Sequence, residues 1–206
     1  MKTLEGDVLE TLAKLGEPES MGFESVDPHQ FLGLELNPRA AAIAELVVWI
    51  GYLQQHYRTH AGHPEEPILR AFKNINFGRR EGYDAVLTWD GYPVPTVVEQ
   101  DGKRVETYPN ARRPDWPEAE FIVGNPPFSG SRLIRTNLGT TYVDVLRKNY
   151  PLVPPTSDYV LYWWHIAAQK LRDEVLYRFG FITTNSIVQQ YSKKAPSKIY
   201  PWSLMN

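Results

Sequence analysis

The sequence predicts an α/β fold with a mainly parallel sheet, and three observations carry that reading. Short apolar runs of strand length occur at Phe31–Leu36 (FLGLEL), Asp84–Trp89 (DAVLTW), Glu120–Gly124 (EFIVG) and Phe179–Thr184 (FGFITT). Segments of helical periodicity alternate with them. Asn, Gly and Pro punctuate the junctions.

Taken in order, Met1–Gly16 is predicted as a helix, because Leu4, Val8, Leu9, Leu12 and Leu15 recur at helical spacing and Gly16 can end it. Glu17–His29 is a polar loop. Phe31–Leu36 is predicted as a buried strand. Asn37-Pro38 follows at once, pairing a good N-cap residue with a proline tolerated at the first helical position. The Ala-, Ile-, Leu- and Val-rich helix then runs from Pro38 to Arg58. His60–Pro67 is a loop, and Ile68–Asn74 has no clear pattern. Asp84–Trp89 is a short strand. Asp90–Pro117 is rich in Pro, Gly and charge, and within it Thr96–Tyr108 has the pattern of a hairpin turning at Asp101-Gly102. The 90–117 segment is therefore expected to be an insertion within one domain spanning 1–206. Glu120–Gly124 is another strand, Thr140–Tyr150 and Asp158–Asp173 are helices, and Phe179–Thr184 is the fourth strand. From Tyr191 the chain is basic and loop-like.

The 206 residues suffice for one domain with a sizeable core. A content of 42% hydrophobic and 22% charged residues argues against general disorder. The absence of cysteine excludes a disulfide framework, a zinc–thiolate site and a cysteine nucleophile. The longest apolar stretch, Ala40–Leu53, contains Glu45 and falls short of the roughly 18 residues that a membrane span needs. The acidic, amphipathic start is unlike a secretory leader, so the cytoplasm is the expected compartment. The net charge of −2 hides a gradient. Residues 1–36 carry 2 basic and 8 acidic side chains, whereas residues 125–206 carry 10 basic and 4 acidic ones. A nucleic acid would meet the C-terminal third more favourably, although uneven surface charge alone accounts for such a gradient equally well.

Asn125-Pro126-Pro127-Phe128 is the sharpest chemical signal. It directly follows a predicted strand, at the end where open α/β sheets bind ligands. The side-chain oxygen of Asn125 can accept from an exocyclic amine, and the Pro126 carbonyl can accept a second hydrogen bond. The two prolines restrict the backbone that presents that carbonyl. Two acceptors on one amino group make its nitrogen a better nucleophile. Phe128 offers a face on which a flipped base can stack. The structural alternative is a proline-rich turn after a strand.

This string, together with Phe31-Leu32-Gly33-Leu34-Glu35-Leu36-Asn37-Pro38, Trp49-Ile50-Gly51-Tyr52-Leu53, Ser157-Asp158-Tyr159-Val160 and Gly180-Phe181-Ile182-Thr183-Thr184-Asn185-Ser186, resembles the N6-adenine DNA amino-methyltransferases. The closest resemblance is to the MmeI-like branch of restriction–modification and phage-defence methylases, over most of the chain. The resemblance implies a Rossmann-like class I methyltransferase fold, S-adenosylmethionine as methyl donor, DNA as partner and transfer to adenine N6 of a flipped base. It implies that Asn125, Pro126, Pro127 and Phe128 hold the target adenine. It further implies that Glu35 binds the cofactor ribose hydroxyls and that Asp84 reads the cofactor adenine amine. Glu35 has an alternative role beside a helix N-terminus, and Asp84 one as a turn residue opening a strand.

The sequence departs from the family pattern in one respect. The fold normally opens with a Gly-rich turn of the type D-P-x-C-G-S-G, and no such motif occurs; Gly6 and Gly16 lie in and at the end of the first predicted helix. The first strand, the main cofactor loop and the last strands are therefore expected to be missing, leaving Phe31–Leu36 and Glu120–Gly124 each short of a neighbour. Three states fit this: a piece of a split gene, a chain completed by an N-terminal polypeptide carrying the Gly-rich loop, or an inactive remnant. An RNA or protein-Gln methyltransferase, and a non-catalytic DNA- or partner-binding module, are the alternative functions.

Weaker features stand beside these. Arg132, Arg135, Arg147 and Lys148 can meet DNA phosphates or form a solvated helix face. Tyr159, Tyr162, Trp163 and Trp164 can wall a pocket, but such aromatics are more often core. His56, His60 and His63 share a helix end without an acid or thiol to complete a metal site, so no metal is expected. Lys193, Lys194 and Lys198 belong to the basic tail.

Overall fold

The structure, a computed structural model, describes residues 26–59 and 73–183 and, near the N-terminus, Asp7, Val8, Glu10, Thr11 and Lys14. Those five residues are helical where a helix was predicted, and Lys14 pairs with Glu10 one turn away at 2.6 Å. The segment 60–72, His60 and His63 included, and the basic tail from Tyr191 lie outside the described residues. The chain divides into two compact units, Met1–Asp84 and Ala85–Asn206.

In the first unit, helix α1 spans Pro38–Thr59. Its start follows from the local sequence. The Asn37 side chain accepts from the N–H groups of Arg39 and Ala40 at 2.9 and 3.3 Å, meeting two of the donors a helix N-terminus leaves open. Ala41 packs against Ile75, with Val48 and Trp49 beside them. The strand predicted at Phe31–Leu36 is reduced to a single parallel bridge between Gly33 and Ile75. The reason is the neighbouring chain. After Ile75 it turns through Asn76, Phe77 and Gly78, with φ of 55°, 53° and 72°, and cannot continue alongside as a strand.

The second unit, from Ala85 on, begins within the run predicted as the strand Asp84–Trp89. It too forms only one bridge, between Thr88 and Arg112 and antiparallel. Its apolar side chains are nonetheless core: Val86 and Leu87 are fully buried. Its carbonyls find other donors, with Tyr150 Oη donating to Val86 O and Trp116 Nε1 to Ala85 O, both at 2.7 Å. Side-chain donors thus meet two carbonyls that a ladder would otherwise pair.

The predicted hairpin is present. Strands β1 (Thr96–Gln100) and β2 (Lys103–Thr107) pair antiparallel, closing Gln100 opposite Lys103 across Asp101-Gly102. Both turn residues have positive φ, 51° and 71°, as the two-residue turn of this hand requires. Strand β3 (Phe121–Gly124) pairs in parallel with β4 (Arg178–Phe181). Between them lie α2 (Ile134–Leu138), α3 (Thr140–Asn149) and α4 (Val160–Arg172). Val143, Leu146, Tyr150, Val160, Leu161, Tyr162 and Ala167 all have almost no exposure, and the rings of Tyr150 and Tyr162 meet edge-on at 5.1 Å between centroids. Burying each such Val or Leu contributes roughly 1.5–3 kcal/mol. Trp164 of α4 contacts Phe179 of β4 edge-on, at 5.8 Å between centroids. Arg113 bridges the helices, donating to Asn149 O at 2.8 Å and Gln169 Oε1 at 3.0 Å, with its guanidinium over the Tyr150 ring.

The mixed α/β class is thus observed. Among the described residues the mainly parallel sheet is limited to β3 and β4. The side chains of Phe121 and Val123 on β3 are exposed.

Candidate functional site

Two groups of chemistry-bearing residues emerge, one in each unit, and each is built by local backbone geometry.

In the first unit, Glu35 lies two residues beyond the Gly33 bridge. Gly33 brackets Ile75 in the parallel manner, donating to Asn74 O at 3.2 Å and accepting from Asn76 N at 2.8 Å. A continuing ladder would next offer Glu35 a carbonyl and an N–H from the chain beyond Ile75. The left-handed turn removes both. The side chain of Asn76 replaces them: Glu35 N donates to Asn76 Oδ1 at 2.8 Å, and Asn76 Nδ2 donates to Glu35 O at 2.7 Å. Asn76 has no solvent exposure. The Glu35 carboxylate is oriented as well, since its Oε1 accepts from Asn37 N at 2.8 Å.

The same Glu35 carbonyl accepts a second hydrogen bond, from Tyr83 N at 2.8 Å. Tyr83 immediately precedes Asp84, so the two acids proposed from sequence, 49 positions apart, lie at adjoining chain ends. Gly82 makes this approach possible. Its φ is +86°, and a Cβ there would sit 2.0 Å from Leu36 O. Phe77 is exposed beside them, with its ring edge-on to Tyr83 at 6.1 Å, and Arg79 lies over the Tyr83 ring. Neither Asn76 nor Gly82 was singled out from sequence. The available signal was the Asn76-Phe77-Gly78 string, since Asn and Gly tolerate the left-handed conformation.

In the second unit, Asn125-Pro126-Pro127-Phe128 leaves the C-terminal end of the parallel strand β3, as predicted from the string. Pro126 is buried, while Asn125, Pro127 and Phe128 are exposed, Phe128 by 45%. Gly124 before them leaves room for Phe181 of β4, whose ring would lie 3.3 Å from an added Cβ. Ser129 after them is buried and held at three atoms. Its N–H donates to Asp158 Oδ1 at 3.1 Å, its carbonyl accepts from Tyr159 N at 3.1 Å, and its Oγ accepts from Asn137 Nδ2 at 3.1 Å. The segment is therefore anchored at both ends, by the sheet before it and by the start of α4 after it.

Arg132 is exposed, just beyond this segment. Arg135 is engaged: its Nη2 meets Asp144 Oδ1 at 2.5 Å, a hydrogen bond that raises the Arg135 pKa and lowers that of Asp144. Arg147 donates to Pro155 O at 2.7 Å, and Lys148 is exposed. Tyr159, Tyr162 and Trp164 are core, and Trp163 is half-buried. His56 packs among Tyr52 and Tyr57. Among the described residues no group of His, Cys, Asp or Glu could hold a metal ion, and no helix is long and apolar enough to cross a membrane.

An exposed Asn and an exposed Phe thus follow a parallel strand in the second unit, and Glu35 and Asp84 lie on adjoining segments in the first. Comparison with protein families assigns the chain to a family. Residues 1–195 match the family described as MmeI, DNA-methyltransferase domain, and the chain belongs to that family. No curated protein and no solved structure matches it.

Proposed function

We propose that the chain acts as an adenine-N6 DNA methyltransferase domain with S-adenosylmethionine as methyl donor and a Rossmann-like class I architecture. The observation that carries this reading is the placement of Asn125-Pro126-Pro127-Phe128. The four residues leave the C-terminal end of a parallel strand, with the polar and aromatic side chains exposed and the following residue pinned in the core. In this reading the Asn125 side-chain oxygen and the Pro126 carbonyl accept from the two N6 hydrogens. That draws electron density onto the nitrogen as it becomes a nucleophile. Phe128 stacks on the extruded base, and Pro127 stiffens the turn. Arg132 and Arg135 would contact the DNA backbone, which positions without specifying sequence.

The first-unit acids fit an adenosine-bearing donor. Glu35 has one oxygen turned toward Asn37 N–H, and its other oxygen has no protein partner among the described residues. A carboxylate two residues past a parallel bridge, with an acceptor to spare, suits a vicinal diol. Asp84, on the adjoining chain end, would accept from an exocyclic amine. S-adenosylmethionine, when bound, supplies an electrophilic methyl group; these side chains bind and orient it.

The test is methyl acceptance from S-adenosylmethionine labelled in the methyl group, measured separately with DNA, RNA and protein. Label in DNA, recovered as N6-methyladenine and lost in Asn125→Ala, is the expected result. Label confined to RNA or protein would overturn the reading.

A further inference from the structure

We infer that Asn76 is a positioning residue for the Glu35 carboxylate, and that the affinity for the adenosine part of the methyl donor depends on it. This inference rests on the assignment of Glu35 to the donor ribose. Four observations carry it.

First, Asn76 makes a two-point hydrogen bond with the main chain of Glu35, 41 positions away, through both its Oδ1 and its Nδ2. A primary amide presents a donor and an acceptor side by side, as a peptide edge does, so one side chain can stand in for a missing strand neighbour. Second, Asn76 is fully buried, so water does not compete for either bond. Third, Asn76 adopts φ 55° and is followed by Phe77 at φ 53°. A left-handed conformation outside glycine costs free energy, and such conformations cluster at ligand-binding sites. Here the turn costs the parallel ladder its next rung and places the amide where that rung would be. Fourth, the Glu35 carbonyl held by Asn76 also holds Tyr83 N, so the same clasp registers Asp84. Asn76 itself touches neither carboxylate in any of these bonds. It acts through the backbone, by setting the direction in which the Glu35 side chain leaves the chain.

A purely architectural residue would alter stability alone, so the test is a double-mutant cycle read by titration calorimetry of the full chain with S-adenosylmethionine. Asn76→Gly keeps the backbone conformation accessible while removing the amide. The dissociation constant is expected to rise about tenfold in Asn76→Gly, because the Glu35 carboxylate loses its fixed direction. It is expected to rise at least as much in Glu35→Ala. In the double variant it should rise by clearly less than the product of the two single-variant factors, because Asn76 contributes through the main chain of Glu35 and, by way of the Glu35 carbonyl, through Asp84. Additive losses would overturn the positioning role while leaving the Glu35 assignment intact. Unchanged affinity in Glu35→Ala, or no binding by the unaltered chain, would overturn the assignment itself and the inference with it. Should Asn76→Gly fail to fold, Asn76→Asp carries the same cycle. It keeps the acceptor for Glu35 N–H and loses the donor to Glu35 O.

Discussion

The Asp158 carboxylate accepts a hydrogen bond from the Ser129 N–H at 3.1 Å, and the next residue, Tyr159, returns one from its own N–H to the Ser129 carbonyl. Both acidic residue and serine are buried. The start of α4 thus grips the residue that follows Phe128. Asp158→Ala leaves the Ser129 N–H buried without an acceptor, at a cost of roughly 1–3 kcal/mol. The expected outcome is a lower urea midpoint together with reduced methyl transfer. Asp158→Asn retains the acceptor oxygen and should recover most of both. Equal loss in the two variants would show that the carboxylate charge, not the hydrogen bond, is what matters.

Phe128 is expected to contribute through its ring. Base–aromatic stacking is worth about 1–3 kcal/mol per base, so Phe128→Ala should lower kcat/KM for DNA methylation roughly 5- to 150-fold. Phe128→Tyr should stay near the unaltered value. S-adenosylmethionine affinity, measured by calorimetry, should not change in either variant.

Gly82 allows the close approach of the Glu35–Leu36 and Tyr83–Asp84 segments. Gly82→Ala meets a positive φ and a carbonyl oxygen 2.0 Å from the new Cβ. Because that obstacle is backbone, the segments must separate. A loss of at least about 2 kcal/mol is expected, read by thermal unfolding. Gly102→Ala has the same sign of φ but open space around it, and should cost less.

His165, on α4, gives the fold a pH dependence. Burial, and then the charges of Arg113 and Arg172, lower its pKa from 6.5 to about 4. The folded state therefore favours the neutral ring. Its contribution is complete above pH 6.5 and is lost progressively as the pH falls toward 4, because the unfolded chain binds the proton first. Urea unfolding followed from pH 7.5 to 4.5 should show this decline, and His165→Gln should flatten it. An unchanged slope in the variant would place the pH dependence elsewhere.

Much of this molecule was legible in its sequence wherever neighbours along the chain decide the outcome. Asn37 caps α1 because a side-chain oxygen meets amides two and three residues ahead. Asp101-Gly102 turns the hairpin because those residues tolerate positive φ. The Asn125–Phe128 string sits at a strand end because an apolar run precedes it and prolines cannot extend that run. The reading failed at Phe31–Leu36 and Asp84–Trp89, where apolar runs of strand length form single bridges. A strand exists only with a partner, and the partner is not written in the run itself.

The sequence by itself therefore determined the longer helices α1, α3 and α4, the hairpin and the motif-bearing loop, along with membership of a DNA-methyltransferase family; the short helix Ile134–Leu138 was not legible in it. Tertiary structure alone decided that Asn76 would serve as the missing rung beside Glu35, that Tyr83 would register Asp84 against it, and that Asp158 would hold Ser129. Each of these is a hydrogen bond across 29 to 48 positions. Local periodicity reports which face of an element is apolar. It carries no information about which distant amide or carboxylate will satisfy a backbone group that the fold has left without a neighbour.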